Sequence, residues 1–268
     1  METNNSSKKI TRIDGGESTT TSNSNATFVP TSEAKGKATQ FRLFAGLLWL
    51  GAIVAQVFAI RMFLKAVNSG ESPVNTWVIG LMILDLILVF AGSVLWKKSN
   101  RLDPPSEQNK FLFYMQNQLG IVMAFVAFLP LILFILTNKK VDGKSKAILG
   151  SIAGVALLIG GIGGFESNMA SVEQYTEQTA QVESLNGGKN EVFWTKSGKS
   201  YHLFNECHTI NKAATSEIFT GTVAQARELK NITDLCDFCQ RKAEKNNQAN
   251  LIPEGAAEAN EAVADSIE

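Results

Sequence analysis

Four long apolar runs dominate the pattern of hydrophobic and polar positions along the chain. They extend over residues 43–60, 77–96, 119–136 and 147–165. A helix rises about 1.5 Å per residue, so runs of about 18 to 20 residues cross most of a hydrocarbon core of about 30 Å. Basic or aromatic residues flank each run, as at the two faces of a bilayer. The pattern predicts four transmembrane helices, at about residues 41–64, 76–96, 117–137 and 146–165.

Polar segments enclose this membrane region of residues 41–165. Residues 1–40 are rich in Ser, Thr and Asn and have almost no large apolar side chain, so they predict a disordered polar tail. Residues 166–188 are polar and free of glycine up to Gly187, which predicts a helical linker. Residues 246–268 predict a second, acidic disordered tail. The whole chain has 25 basic and 25 acidic residues, so its charge indicates no polyanionic partner.

Asp85 lies near the middle of the second apolar run. An ionisable group at that depth costs at least a few kcal/mol, so it usually faces protein or water. We interpret Asp85 as a protonated, hydrogen-bonded structural residue, with Gln56 as one possible partner. A proton or ion pathway through Asp85 is the alternative.

Glycines are spaced by four residues in the last run: Gly150, Gly154, Gly160 and Gly164. Small-xxx-small pairs let a neighbouring helix approach closely. They predict helix packing and favour a protein partner or a homo-oligomer formed through this span. A glycine hinge or re-entrant segment is the alternative interpretation.

Residues 189–245 predict a small α+β module after the linker. Residues 191–195 alternate like a strand, and a Ser-Gly-Lys turn joins them to a second strand at 200–204, which predicts a β-hairpin. A third short strand is predicted at 217–220 and a helix at 223–230. The fold class is therefore a membrane all-α protein of four transmembrane helices, with a small α+β module and disordered termini.

All three cysteines of the chain lie in this module, at Cys207, Cys236 and Cys239. His202 precedes the first of them by five positions. A Cys-x-x-Cys turn presents two thiolates to one tetrahedral ion, and the other Cys and a His complete a set that structural zinc favours. The sequence therefore predicts Zn²⁺ bound by His202, Cys207, Cys236 and Cys239. His208 is the alternative histidine, but its position next to Cys207 strains ligation of the same ion.

Two other uses of the cysteines stay open. A redox Cys-x-x-Cys needs a βαβ context, which the pattern does not favour. A single disulfide would leave one thiol unexplained.

The motifs of this module resemble the metal-binding domain of the Ada DNA-repair protein and the Ada-like modules of bacterial membrane and secreted proteins. The motifs are VFWTKSGKSYH at 192–202, Cys207, IFTGTVAQA at 218–226 and CDFC at 236–239. The resemblance covers residues 190–242 and implies one zinc held by four ligands. In the repair protein the first cysteine accepts a methyl group from DNA. His202 stands at that position here, so the resemblance does not extend to the repair activity.

The combined pattern predicts an integral membrane protein that presents a structural zinc module for protein interaction or sensing. One alternative is a transporter or channel-like protein with Asp85 in its path and a regulatory zinc module. Another is a membrane-tethered nucleic-acid-binding protein. Nine basic and seven acidic residues lie between 189 and 245, without the dense basic face that phosphates need, so we do not expect a nucleic acid partner.

No catalytic role is expected. A Cys3His site is already filled, and the sequence has no Ser-His-Asp pattern, phosphate-binding loop or His-Glu-x-x-His motif. Basic residues near the membrane divide seven to six between the two sides, which does not orient the chain. Thiolates survive best in a reducing compartment, so we expect a multi-pass protein of the cell membrane, in contact with the lipid bilayer, with both termini in the cytoplasm.

Overall fold

A computed structural model describes residues 8–13, 27–230 and 232–251 of the chain. Contacts divide the chain into two units. The helical unit is Val29–Glu173, and the strand-containing unit combines Met1–Phe28 with Gln174–Glu268. The described elements, in chain order, are β1 (Lys9–Arg12), α1 (Ser32–Asn68), α2 (Thr76–Leu102), α3 (Lys110–Asn117), α4 (Leu119–Thr137), α5 (Gly143–Gly164), α6 (Val172–Leu185), β2 (Val192–Trp194), β3 (Ser200–Tyr201), β4 (Glu217–Gly221), α7 (Val223–Lys230), β5 (Asp234–Leu235) and α8 (Asp237–Leu251).

Four of the described helices, α1, α2, α4 and α5, are long and apolar enough to cross a membrane. Their outward side chains are apolar: Leu43, Leu158 and Ile162 are 63%, 64% and 77% exposed. An apolar surface of this kind belongs against lipid rather than water. The structure thus confirms the four predicted apolar spans. It also confirms a small strand region with a Cys and His cluster near the C-terminus.

The N-terminal segment differs from the predicted disordered tail of residues 1–40. Residues 9–12 form β1, and α1 begins at Ser32 because the Thr31 side chain caps it, accepting the N–H of Ala34 at 3.1 Å. Residues 1–7 and 14–26 of that tail lie outside the described residues. Most of the predicted acidic tail also lies outside them, although α8 extends through Leu251.

The helices of the helical unit pack through small residues and aromatic rings. Helices α1 and α2 are antiparallel, since Arg42 near the start of α1 pairs with Asp103 just after α2 at 2.7 Å. Alanines from three helices, with Val89 and Phe128, form one buried cluster: Ala52, Ala124, Ala127 and Ala156. Helix α4 continues through Pro130.

Two glycines let α4 and α5 touch through their backbones. A Cβ added to Gly164 would lie 2.6 Å from the carbonyl oxygen of Gly120, and one added to Gly120 would lie 2.8 Å from that of Gly164. Gly160 faces Ala124 and Phe128 of α4 at 3.4–3.5 Å. These glycines therefore pack within the chain. A Cβ added to Gly154 would meet no atom within 4 Å. An oligomer formed through this span stays a prediction.

The strand-containing unit is built around β4. Within the described residues, one sheet has the strand order β1-β4-β2 and a second pairs β3 with β5. Strand β1 is parallel to β4, and β2 is antiparallel to it. Trp194 and Ile218 are buried in one core that also contains the three cysteines.

Replacing Gly164 with Ala should destabilise the helical unit by about 1–3 kcal/mol, because the new methyl group would meet backbone that cannot move aside. Thermal unfolding in a neutral detergent, followed by circular dichroism, measures the effect as a lower midpoint. Gly154→Ala is the matched control and should unfold like the original chain. Equal midpoints for both variants would contradict the close contact of α4 and α5.

Candidate metal centre

The predicted β-hairpin positions His202. Its backbone N–H donates to the carbonyl of Phe193 at 2.7 Å, and the N–H of Phe193 donates back to the carbonyl of His202 at 2.7 Å. The turn between them closes where the Gly198 N–H donates to the Thr195 carbonyl at 3.2 Å. This pairing fixes the direction of the imidazole, which is only 4% exposed.

The three cysteines come from two further segments. Cys207 lies in a turn in which its carbonyl accepts the N–H groups of Ile210 at 3.0 Å and Asn211 at 2.8 Å. Cys236 follows β5, and its N–H donates to the Tyr201 carbonyl at 3.0 Å. Cys239 lies in the first turn of α8. The Cys-x-x-Cys segment is thereby held beside the strand that leads into His202.

All four predicted ligands meet at one point. The Sγ atoms of Cys207, Cys236 and Cys239 and a ring nitrogen of His202 lie within 4.8 Å of one another. All four residues are buried, with Cys236 the most exposed at 9%. No disulfide joins the three cysteines. This group could hold a metal ion.

Thr209 is a further part of this group that the sequence analysis did not find. Its hydroxyl lies 3.1 Å from the Cys207 sulfur, 3.3 Å from Nδ1 of His202 and 3.8 Å from the Cys236 sulfur. A hydroxyl in this place can donate to a thiolate and orient it. Its position two residues after Cys207 was the available signal, but threonine is too common for that spacing alone to identify it.

Burial determines the protonation of the isolated side chains. It lowers the pKa of His202 to about 4, with a further contribution from the charge of His208, so the imidazole is neutral and can bind a metal. Burial raises the pKa of Cys239 to about 12. Burial also opposes the thiolate of Cys236, but hydrogen bonds from the backbone N–H groups of Cys239 and Phe238, together with those of the Thr209 and Cys207 side chains, lower the pKa of that thiol. A cation bound by the three sulfurs would therefore stabilise their thiolate forms.

His208 lies outside the four-residue group. Its ring packs edge-on against Phe238, with the ring centres 4.5 Å apart. Both side chains line an open groove of about 620 Å³, and Thr209 and Cys236 are also part of its lining. Of the two histidines, His202 is therefore the one that the fold places beside the three sulfurs.

Helix α6 supports the centre, although the sequence analysis assigned it to a linker ending at residue 188. Val182 of α6 is buried in the same core as the cysteines. Arg227 of α7 is also buried and donates to the side chains of Gln178 at 2.8 Å and Gln174 at 2.6 Å. Its guanidinium lies 4.5 Å above the Tyr175 ring. The module therefore includes most of α6, whose polar sequence concealed its packing face.

Asp85 lies in α2 of the helical unit and is 2% exposed. Its Oδ1 has no hydrogen-bond partner among the described residues, and the same holds for Nε2 of Gln56, which is 5% exposed. Trp49 of α1 donates to the carbonyl of Val89 of α2 at 3.4 Å. Gln56 was named above as a possible hydrogen-bond partner of Asp85, but the unpartnered Asp85 Oδ1 and Gln56 Nε2 show no such bond between them.

In comparisons with known proteins, no family model, no curated protein and no solved structure matches this chain. The resemblance to the Ada metal-binding domain therefore rests on the motifs quoted above and stays a prediction.

Replacing His202 with Ala should remove one of the four ligands and lower the amount of metal that copurifies with the full chain. His208→Ala is the matched control, because that ring packs on Phe238 outside the group, and it should keep the metal of the original chain. Elemental analysis of purified protein measures both. Loss of metal in the His208 variant with retention in the His202 variant would reverse the assignment.

Proposed function

We propose that the chain is an integral membrane protein that presents a structural zinc module for protein interaction or sensing. The observation that carries this proposal is the meeting of one imidazole and three thiols, all buried, within 4.8 Å. Four apolar helices in the same chain support the membrane anchor.

The donor set fits zinc in chemistry and in size. Thiolate and imidazole are ligands that Zn²⁺ prefers. With Zn–S of about 2.3 Å and Zn–N of about 2.0 Å, the edges of the tetrahedron measure roughly 3.5–3.8 Å. The Cys239 sulfur and Nδ1 of His202 already lie 3.7 Å apart. Since no pair exceeds 4.8 Å, an ion would draw the ligands inward by about 1 Å at most.

The same donor set favours a structural role. Four protein ligands fill a tetrahedral ion and leave no position for water or substrate. The ion would tie the hairpin to the Cys-x-x-Cys turn, and its binding free energy would add to the stability of a small core. We therefore propose no catalytic activity for this centre.

We also propose that the module faces the cytoplasm of a cell membrane. Its three cysteines are free and lie close enough to bind one ion. A reducing compartment keeps such thiols available for metal. With four spans, both termini would then lie in the cytoplasm.

The purified full chain should contain about one zinc per molecule, because the four ligands form one site. Cys236→Ser should lower that content strongly, and a chelator should lower the unfolding temperature of the original chain, since metal-binding free energy is lost from the folded state. Elemental analysis and thermal unfolding in detergent measure the two effects. The full chain is required because Val182 of α6 belongs to the core.

Ser184→Ala is a suitable control, because this residue is exposed, lies in α6 and is not a ligand. It should keep both the zinc and the chelator response. A chain that is folded, free of metal and insensitive to chelator would contradict the proposed centre.

A second candidate function is a transporter or channel-like protein that uses Asp85. The orphaned Oδ1 of Asp85 supports it, since an unpartnered buried carboxyl group in a membrane span commonly marks an ion or proton path. In this case the zinc module would regulate the path.

Asp85→Asn separates the two candidates, because it keeps the shape of the side chain and removes its ability to exchange a proton. A path through Asp85 predicts loss of proton flux in liposomes that carry a membrane potential and an internal pH dye. The zinc content should stay the same in either case. Proton flux equal in the original chain and the variant would contradict the transport candidate.

A further inference from the structure

Strand β1 lies more than 200 residues from its partner in the sequence, at the outer edge of β4. The two strands are parallel, with Lys9 beside Glu217 and Arg12 beside Thr220. The N–H of Ile13 extends the pairing by donating to the Thr220 carbonyl at 3.0 Å. Without residues 8–13, this edge of β4 would present unpaired backbone groups, which are a template for another strand.

Acidic and polar groups on β4 and beside it contact the docked strand β1. The Glu217 carboxylate pairs with the Lys9 ammonium at 3.3 Å and accepts a hydrogen bond from the Thr11 hydroxyl at 2.5 Å. Glu191 lies 3.9 Å from the guanidinium of Arg12. The Gln225 side chain donates to the carbonyl of Ile13 at 3.3 Å. These contacts match an extended peptide with basic residues three positions apart.

The docked segment buries little of itself. The side chains of Lys9 and Arg12 are 75% and 72% exposed, and Ile10 is 48% exposed. Exposed ion pairs contribute little, so the backbone pairing and the partly buried Ile13 provide most of the attachment. Release of this strand would uncover little apolar surface apart from Ile13 and the part of the core that it covers.

We propose that the outer edge of β4 is a docking site for an extended basic peptide of a partner protein, and that residues 8–13 occupy this site as an exchangeable strand of the same chain. Main-chain hydrogen bonds give affinity in such strand addition, and side-chain contacts give specificity. The segment acts as an internal competitor, because its tether gives it a high local concentration. This inference rests on the proposed interaction role of the module and specifies its partner.

The test compares the full chain with a variant that lacks residues 1–13, both in neutral detergent. The probe is a fluorescent peptide with the sequence of residues 8–13, KKITRI, followed by fluorescence anisotropy. The truncated chain should bind it in a saturable way, and the full chain should bind it at least about tenfold more weakly. A peptide with Lys9→Glu and Arg12→Glu is the matched control; it places acids beside Glu217 and Glu191 and should bind more weakly than KKITRI.

Two receptor variants locate the binding. In the truncated chain, Glu217→Gln should weaken binding because it removes the charge that faces Lys9. Glu177→Gln alters an exposed acid on α6 and should leave binding unchanged. If the truncation does not fold, Ile13→Pro in the full chain replaces it, since this variant lacks the N–H that donates to Thr220 and should bind the peptide more tightly than the original chain.

Peptide binding that is absent from the truncated and Ile13→Pro chains, or equal in these and the original chain, would overturn the docking site. The zinc content of the same samples is measured in parallel. Zinc without peptide binding overturns the docking site alone, whereas peptide binding without zinc overturns the proposed metal centre alone.

Discussion

Three buried thiols and one buried imidazole converge on one point, and the strand-containing unit is arranged around them. The Cys-x-x-Cys segment reaches the hairpin because the Cys236 N–H donates to the Tyr201 carbonyl, immediately before His202. Burial keeps His202 neutral and opposes ionisation of Cys239. A cation bound by the sulfurs would offset the free-energy cost of ionising a buried thiol, since it stabilises thiolates directly. The fold therefore places Cys239 where an isolated thiolate is unfavourable and a metal-bound one would not be.

A different constraint shapes the helical unit, whose outer surface carries many exposed large apolar side chains. In lipid, hydrophobic burial would give little preference between helices, so close packing of small residues would have to hold them together. The contact of Gly120 with Gly164 and the buried alanine cluster meet that requirement. Asp85 differs from the small and apolar residues that fill this interior, because its Oδ1 is a buried polar atom without a hydrogen-bond partner among the described residues.

Features with a strong local signal could be predicted from the sequence. The four spans follow from long apolar runs, and the four candidate ligands follow from rare residue types at short spacings. Contacts over long sequence separations gave no such signal. Strand β1 has four residues in a polar tail and forms only because β4 offers an edge. The sequence of helix α6 predicts a polar linker, because its packing face includes Gln174 and Gln178. These side chains accept hydrogen bonds from the buried Arg227. Thr209 belongs to the candidate site only through the fold of its turn.

The proposed metal centre and the docking edge belong to one core. Ile218 of β4 is buried in the cluster that contains Cys207, Cys236 and Cys239, and Ile13 packs against the same cluster. One face of β4 thus packs in the core that contains the proposed metal ligands, and one edge of β4 pairs with β1. Loss of metal would loosen that core, and a loosened β4 would hold any docked strand less firmly. Metal binding and strand docking would then be thermodynamically linked, so a docked strand from either source would raise the affinity for the metal above that of an empty edge.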